Sequence, residues 1–497
     1  MPAGSHLHRV CAPRADNYYG HMQSVAAALA RLGDLAASPT VSRLANAFAA
    51  AGHELALVGG PVRDAFLDRP VHDLDFTTDA TPDQILALVK PLSEAQWDIG
   101  RAYGTIGASL AGETVEITTY RADSYDGTTR KPDVVFGTSL EPDLLRRDFT
   151  VNAMALRLPQ LTLVDPSGGI DDLLAGRLRT PSTPEVSFGD DPLRMLRAAR
   201  FTGQLGFTLD LDTALAMEKM CNSIRIVSAE RIGDELSKML VSADPRAGIE
   251  VLMESGLAEI VLPEIPGLQL EIDEHHHHKD VYQHTLTVLE QAMGYEKSRG
   301  NLEAPDLIVR LAALLHDIGK PATRKLEPGG VVSFYHHDVV GSKLAKKRLR
   351  ALRFDNDTIN AVSRLIELHL RFFGYTEGAW TDSAVRRYVR DAGDQLERLH
   401  ILTRADVTTR NRRKADRLGF AYDDLEHRIA ELNEKEELGA VRPDLDGEQI
   451  MAVLGLKPGR EVGEAYRYLL EQRLDDGPLG EAEATRRLQE WWAGRNR

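Results

Sequence analysis

The chain has 497 residues, of which 43% are hydrophobic and 27% charged, a soluble globular balance on a length that predicts three or four units. No apolar run approaches the ~18 residues of a membrane span, and the start "MPAGSHLHRVCAPRAD" has no apolar core of a signal peptide, so no membrane partner is expected. Cys11 and Cys221 are far apart and fit no metal or disulfide pattern, which points to a reducing cytoplasm, while a formal net charge of −15 argues against broad, nonspecific nucleic-acid affinity.

Residues 20–52 carry helical periodicity, as in "MQSVAAALARLGDLA". From 55 to 165 short apolar runs take over ("LALV", "LDFTT", "IGASLAG", "VEITTY", "VVFG", "LTLVD"), punctuated by Gly, Asp and Pro, and predict a small mixed sheet with a few helices. After "DPSGGIDDLLAG", and from about 185 onward, nearly everything is helix-periodic. The fold class expected is α+β, a mixed-sheet head followed by an all-helical remainder. No internal repeat or long low-complexity tract is present. His275 to His278 resemble a purification tag but stand mid-chain, and are read as native.

The stretch "LALVGGPVRDAFLDRPVHDLDFTT" (Leu55 to Thr78) concentrates chemistry. In an extended strand alternate residues share a face, so Asp73 and Asp75 point together, about 7 Å apart at ~3.3 Å per residue. Two such carboxylates can hold hard cations; Mg²⁺ takes a few carboxylates plus phosphate oxygens, and a pair of ions can clamp the attacking and leaving oxygens of a phosphoryl transfer. Gly59 and Gly60 fall where strand becomes helix, and their backbone N–H groups can approach a triphosphate closely. Arg63, one turn on, can reach the same anion. Glu116 of "VEITTYR" offers a third carboxylate from a neighbouring strand. A D-x-D alone fits a tight turn capped by aspartates; Gly-Gly, Arg, D-x-D and a later Glu together are far more specific.

These residues resemble the signature of the nucleotidyltransferase superfamily that includes polymerase β and, more narrowly, the bacterial class II tRNA nucleotidyltransferases (CCA-adding enzymes) and their poly(A) polymerase relatives. Further blocks recur in order over roughly residues 50 to 420. "RRDFTVNAMA" (Arg146 to Ala155) is similar to the family's phosphate and ribose motif, which implies that Arg147 and Asn152 contact triphosphate and sugar, although Arg147 taken alone equally suits a structural ion pair with Asp148. "DDPLRMLRAARF" (Asp190 to Phe201) resembles the nucleotide-recognition motif, with Asp190 in place of the usual glutamate and with Asp191, Arg194 and Arg197 as nucleotide-binding candidates. "AERIGDEL" (Ala229 to Leu236) matches the next block.

Asp191 and Arg194 stand three apart, a spacing that makes them neighbours on one helix face. A carboxylate accepts hydrogen bonds and a guanidinium only donates. Cytosine and adenine both present an amino donor beside a ring-nitrogen acceptor; uracil and guanine present the reverse. The pair therefore suits C and A and opposes U and G, each reversed buried contact costing ~1–3 kcal/mol. In isolation the same spacing is an ordinary surface ion pair. "TTYRADSYDGTTRKPDVVF" (Thr118 to Phe136) has a loop's composition and resembles the family's flexible loop, with Arg121, Asp126 and Arg130; the plain alternative is a surface loop.

A second constellation runs through the helical part: His284, the adjacent His316 and Asp317 of "ALLHDIGKP", His337, His369 and Asp406. Isolated histidines in apolar helices are usually satisfied core residues. The order H…HD…H…H…D instead resembles the HD phosphohydrolase superfamily and implies a metal site for a divalent transition metal or Mg²⁺, with a possible action on cyclic or phosphorylated tRNA ends. Two basic islands, Lys343 to Arg353 (with Lys346, Lys347 and Arg348) and Arg404 to Arg417 (with Arg410, Arg412 and Arg413), read either as solvated helix faces or as a track for an RNA backbone. "LGLKPGREVGEAY" (Leu454 to Tyr466) is either a plain helix-turn-helix or a phosphate contact.

The reading taken together is a polymerase β-like head (51–175) after an N-terminal helical segment (1–50), then a helical neck (176–270), an HD domain (271–420) and a helical tail (421–497), elongated in form. The resemblance implies addition of CCA to the tRNA 3′ end from CTP and ATP with Mg²⁺. The alternatives are a poly(A) polymerase and, from another class, an HD phosphohydrolase with a nucleotide-binding head.

Overall fold

The computed structural model describes residues 25–495 apart from 72, 99, 102–103, 122–135, 271–280, 329–331, 378–379, 410 and 437–440. Asp126, Arg130, Arg410 and His275 to His278 therefore lie outside the described residues. The chain divides into two compact units, Met1–Pro263 and Glu264–Arg497. No helix among the described residues is long and apolar enough to cross a membrane.

The first unit is built on a seven-stranded mixed sheet: β1 (Leu55–Val58), β2 (Leu74–Thr78), β3 (Ala95–Trp97), β4 (Thr105–Leu110), β5 (Glu113–Thr119), β6 (Ala155–Leu158) and β7 (Thr162–Val164), in the order β3-β4-β5-β2-β1-β6-β7. Every residue of β1 is buried, as its unbroken apolar run requires of a central strand flanked by β2 and β6. The pairing of β2 with β5 is parallel and sets Asp75 opposite Glu116. β3 and β6 are strands that the apolar runs did not announce, since Ala95–Trp97 is short and β6 follows directly on the "RRDFTVNA" block.

One face of the sheet packs Ala56, Val58 and Tyr120 against Leu140 and Leu144 of the short helix Leu140–Leu145, which leads into Arg146 and Arg147. The other face is covered by helices, among them Pro39–Ala50, started by Pro and capped by the Ser38 hydroxyl, and Pro82–Val89, closed by a Thr81/Gln84 capping box. The predicted N-terminal helix is two helices, Val25–Ala37 and Pro39–Ala50, parted at that cap. Beyond the sheet, the helix Leu193–Leu205 packs on Ala229–Leu240 and Pro245–Glu254.

Among the described residues the second unit is helical apart from the short antiparallel strands Lys325–Leu326 and Val332–Ser333. Its centre is formed by helices Val281–Arg299, Leu307–Leu315, His337–Ala351, Asn356–Leu368 and Leu396–Ala405. Asp306 and Asp355 cap two of these by accepting from the Val309 and Thr358 amides. Gly319 sits where the chain turns out of the "HDIG" stretch, so close to the helix His337–Ala351 that a Cβ there would meet the His337 carbonyl oxygen at 2.1 Å and the Gly341 nitrogen at 2.7 Å. Both obstacles are backbone, so neither swings away. Gly319→Ala should destabilise the protein by about 1–3 kcal/mol, as overpacking of a tight contact does, and a lowered thermal midpoint checks it.

Candidate functional site

Asp75 of β2 and Glu116 of β5 are direct partners across the parallel ladder, and Asp73 stands just before β2, near enough for its charge to act on Asp75. Asp73 and Glu116 are exposed and Asp75 half-buried. Burial pushes the Asp75 carboxyl up to about 6, with Glu116 and Asp73 adding to the rise and Arg147 and Arg63 opposing it. The donor set, three hard carboxylate oxygens gathered on one open face and short of cationic charge, fits a divalent ion.

β1 delivers the chain to Gly59, whose φ of +71° and ψ of −124° suit glycine and strain other residues. The helix Gly60–Phe66 starts there. Arg147 Nη1 and the Asn152 carbonyl oxygen would lie 3.5 and 3.8 Å from a Cβ on Gly59, so this turn, Arg147 and the "RRDFTVNA" block share one corner. Arg147 donates from Nη2 to Asp143 at 3.3 Å, while its buried Nε has no hydrogen-bond partner, an orphan donor beside the diglycine turn. Its carboxylate partner is Asp143, four residues back, and not the adjacent Asp148 that the sequence suggests.

Asp143 is wholly buried and serves several donors: Arg146 Nε and Nη2 at 3.1 and 2.7 Å, the Arg121 amide at 3.1 Å and the Thr77 hydroxyl at 3.3 Å. Burial alone would raise its carboxyl; Arg147 and Arg146 bring it below the ordinary value. Asp148 is a second hub. It accepts from Arg197 Nε at 2.8 Å and Nη2 at 2.5 Å, from Asn152 Nδ2 at 3.1 Å and from the Phe149 amide at 2.8 Å. Burial opposes its charge, yet Arg197 and Asn152 hold the carboxyl well below the usual range.

Arg63 is buried with Nε and Nη2 on Asp64 and Nη1 on Asn152 Oδ1 at 2.8 Å, and its guanidinium lies 5.5 Å from the Phe201 ring centre. It is thus a fixed charge near Asp75, not the free fork its spacing from Gly60 suggests. Asn152 bridges Arg63 to Asp148 with both ends of its amide. Arg197 is held between Asp148 and, at 3.7 Å, Glu235. Arg63, Asn152 and Arg197 therefore organise the corner from inside.

Asp191 does not share a helix face with Arg194. Its backbone is extended (φ −147°, ψ 102°) between the helix Pro184–Asp190 and the helix Leu193–Leu205, with Pro192 between, and its Oδ1 accepts the Leu193 amide at 3.1 Å. Arg194 is in the first turn, donating from Nη1 to Ser187 (backbone O at 3.1 Å, Oγ at 2.9 Å) and from Nη2 to the Arg146 carbonyl at 2.6 Å. That last bond ties the base-reading candidates to the "RRDFTVNA" block. Arg121 forms an isolated β-bridge with Phe136.

In the second unit the structure brings His284, His316, Asp317, His337, His369 and Asp406 together. The ligand atoms of His284, His316 and Asp317 lie within 4.8 Å of one another, as do those of Asp317, His337 and His369. His284 Nε2 is 3.0 Å from Asp406 Oδ1, and His316 Nε2 is 3.5 Å from the same atom. Each imidazole is oriented by its other nitrogen: Nδ1 of His316, His337 and His369 faces the carbonyls of Ala313, Phe334 and Ile366 at 2.9, 2.8 and 2.6 Å, and His284 Nδ1 faces Thr408 Oγ1 at 3.0 Å. Nε2 therefore points inward on all four rings, the arrangement metal-ligating histidines adopt. His316 Nε2 faces Asp317 Oδ2 at 3.2 Å, whereas His369 Nε2 is buried with no hydrogen-bond partner, and such an orphan suits an ion. Burial pushes His316 down, but Asp317 and Asp406 outweigh it and raise the imidazole to about 10; burial and the neighbouring His316 take His369 down to about 4. The two carboxylates thus draw positive charge into the centre. Lys320 Nζ adds one at 2.9 Å from Asp317.

Three family models match: the poly A polymerase head domain over residues 55–179, the probable RNA and SrmB-binding site of polymerase A over 206–268, and the HD domain over 281–411. An A-adding tRNA nucleotidyltransferase of Deinococcus radiodurans is 34% identical over 450 residues, 88% of this chain and 95% of that protein. The chain belongs to the tRNA nucleotidyltransferase family. A CCA-adding enzyme of Bacillus subtilis is 42% identical over 218 residues, 44% of this chain, so the chain spans about half (53%) of that relative's length. The fold is that of the CCA-adding enzyme of Bacillus stearothermophilus, solved with CTP (TM-score 0.63, 24% identity, 92% of this chain and 99% of that one), and of the Thermotoga maritima CCA-adding enzyme, solved with tRNA (TM-score 0.58, 18% identity, 93% and 98%). Both families in the chain use divalent metals.

Sequence reasoning passed over Asp143, Glu235, Thr408 and Lys320 as parts of this nucleotidyltransferase and named Asp148 only as a partner for Arg147; the signal for Asp143 and Asp148 is an acid on each side of the Arg146-Arg147 pair. Of the basic candidates, Lys347, Arg412 and Arg413 are exposed and Lys346 half-buried, whereas Arg348 is committed to Glu264 at 2.9 Å. The raised Asp75 carboxyl has a thermodynamic sign. A folded value of about 6 against 3.8 means that the native state binds the extra proton, so this contribution is full below the unfolded value and is lost as pH rises through about 6. In metal-free enzyme Asp75→Asn should melt a few degrees above the parent at pH 7.5 and level with it near pH 4, as read by calorimetry with chelator present.

Proposed function

We propose that this enzyme builds or repairs the 3′-terminal CCA of tRNA from CTP and ATP, releasing pyrophosphate. The observation that carries the reading is the parallel register that pairs Asp75 with Glu116, two residues past Asp73, in the sheet whose central strand runs into the Gly59 turn. Divalent ions bound by Asp73 and Asp75, with Glu116 beside them, would supply Lewis-acid stabilisation of the attacking 3′-hydroxyl and of the departing pyrophosphate. The chain's own part is positioning and charge. The amides of the diglycine turn and the orphan donor of Arg147 take the triphosphate; Asp191 accepts from, and Arg194 donates to, the pairing edge of C or A. Segments 51–175, 176–270, 271–420 and 421–497 act in this reading as head, neck, HD domain and tail of a cytoplasmic enzyme, with Lys347, Arg412 and Arg413 available to an RNA backbone.

A second reading is addition of the final A alone, favoured by the Deinococcus relative that matches over most of both chains. Incubating tRNA lacking CCA, tRNA ending in CC, and oligo(A) with each nucleotide separates the readings. Growth of the first substrate by CCA and then arrest supports the proposal; extension of only the second means A addition, and extension of oligo(A) means a poly(A) polymerase. Asp73→Ala or Asp75→Ala should each lower incorporation roughly a hundredfold or more, and intact incorporation would refute the metal-dyad assignment.

The HD cluster supports a metal-dependent phosphohydrolase acting on RNA termini. Its two triads share Asp317, and His284, His316, Asp317, His337 and His369 would hold a divalent metal that supplies Lewis-acid activation of the phosphate ester. His316→Ala with Asp317→Ala should abolish release of phosphate from a 2′,3′-cyclic RNA end and leave nucleotide addition within about twofold, because the ligands lie in a separate compact unit.

A further inference from the structure

The "AERIGDEL" block has no role in the mechanism above, and its position gives it one. It opens the helix Ala229–Leu240, which Ser228 caps. Ile232, Gly233, Leu236, Met239 and Leu240 face inward, and the helix packs on Leu193–Leu205. Glu235 reaches that helix through Arg200 at 2.7 Å and Arg197 at 3.7 Å. One turn earlier on the same helix, Arg231 donates from Nη2 to Asp191 Oδ2 at 2.7 Å. Oδ1 of Asp191 is already taken by the Leu193 amide. The carboxylate is therefore held at both oxygens, by backbone on one side and by a guanidinium from another element on the other.

We propose that Arg231 is a positioning residue for nucleotide selection, fixing the plane and rotamer of the Asp191 carboxylate; the inference rests on the reading of Asp191 as an acceptor for the base. An ionised carboxylate has about four acceptor sites, so two bonds to the protein leave room for the amino group of C or A. Selection against U and G works by facing a carbonyl with an oxygen that cannot turn away. Asp191 stands in extended backbone outside the helix, where its side chain has no helical neighbours to confine it, so the second hold on it must come from elsewhere. Arg231 supplies that hold from a helix whose other contacts, through Glu235, keep it in register with Arg197 and Arg200. Arg231 is itself half exposed (53%), which makes it a brace at the rim of the site and not a core residue.

The test uses full-length enzyme and tRNA lacking CCA, with kcat/KM for CTP, UTP, ATP and GTP taken separately. Arg231→Ala should lower the CTP:UTP and ATP:GTP ratios about tenfold, the size of one lost charge-assisted hydrogen bond, and Arg231→Lys should restore most of the ratio. Lys238→Ala, on the same helix in an exposed pair with Asp234, should leave the ratios alone. Thermal midpoints are measured on every variant, and Arg231→Gln substitutes if the alanine variant does not fold. Unchanged ratios in a folded Arg231 variant overturn the inference, as does a ratio that improves because CTP binds more tightly once Arg231 is gone. Asp191→Ala separates the two levels: if it too leaves the ratios unchanged, the base-reading assignment itself fails, whereas collapse in Asp191→Ala beside an unmoved Arg231→Ala discards only the brace.

Discussion

Like-charge repulsion on one sheet face governs the design of the first unit. Parallel pairing of β2 with β5 sets Asp75 and Glu116 side by side, and Asp73 immediately precedes β2. At an effective dielectric near 20, two carboxylates about 5 Å apart repel by roughly 3 kcal/mol. Burial raises the Asp75 carboxyl, and this repulsion adds to the rise. Arg63 and Arg147 relieve part of it, and each of these needs anchors of its own: Asp64 and Asn152 for one, Asp143 for the other. Asn152 leads to Asp148, Asp148 to Arg197, and Arg197 to Glu235 on a further helix. Compensation of one cluster thus spreads outward in alternating sign until it reaches the elements that hold Asp191.

The HD cluster solves a related problem in the opposite way. Its carboxylates are few and buried, and its ligands are mostly imidazoles whose outer nitrogens meet backbone carbonyls at 2.6–2.9 Å. The charge balance is largely internal: Asp317 and Asp406 raise the His316 imidazole, and Lys320 is drawn against Asp317. An open carboxylate face suits ions that arrive with a triphosphate, and a closed imidazole cage suits ions that stay.

Much of this was legible in the sequence where residues act through local spacing. The D-x-D alternation placed one acid on β2 and the other just before it, and the Gly-Gly pair marked the strand-to-helix turn. The six HD candidates stood out because an adjacent His-Asp pair interrupts an apolar helix. What escaped was set by contacts distant in sequence. Nothing near Asp143 shows that Thr77, 66 residues earlier, will donate to it. Spacing of three suggested one helix face for Asp191 and Arg194, but Pro192 starts the helix after Asp191. Arg348 looked like a free cation because its partner Glu264 is 84 residues away, and the hold on Arg63 by its neighbour Asp64 is completed by Asn152, 89 residues on. β6 was hidden because its alternation follows a 3-10 turn inside a charged block.

The blocks named along the first unit are, in three dimensions, one object. Phe201 shows this most simply: its ring is 5.8 Å from that of Phe149, edge to face, and has Arg63, Arg197 and Arg200 at 5.5, 5.5 and 4.1 Å from its centre. Three cations around a buried ring, with Asp148 and Glu235 between them, are an expensive way to stabilise a fold, because desolvating so many charges offsets most of their attraction. An apolar core of the same volume would hold the helices as well. It would not, however, tie the phosphate corner to the base-reading turn by hydrogen bonds whose lengths and angles are set. The arginine–carboxylate lattice is therefore better understood as a device for geometry than for stability, one in which the backbone of Arg146, accepting from Arg194 at 2.6 Å, joins the candidates for holding phosphate to the candidates for reading the base.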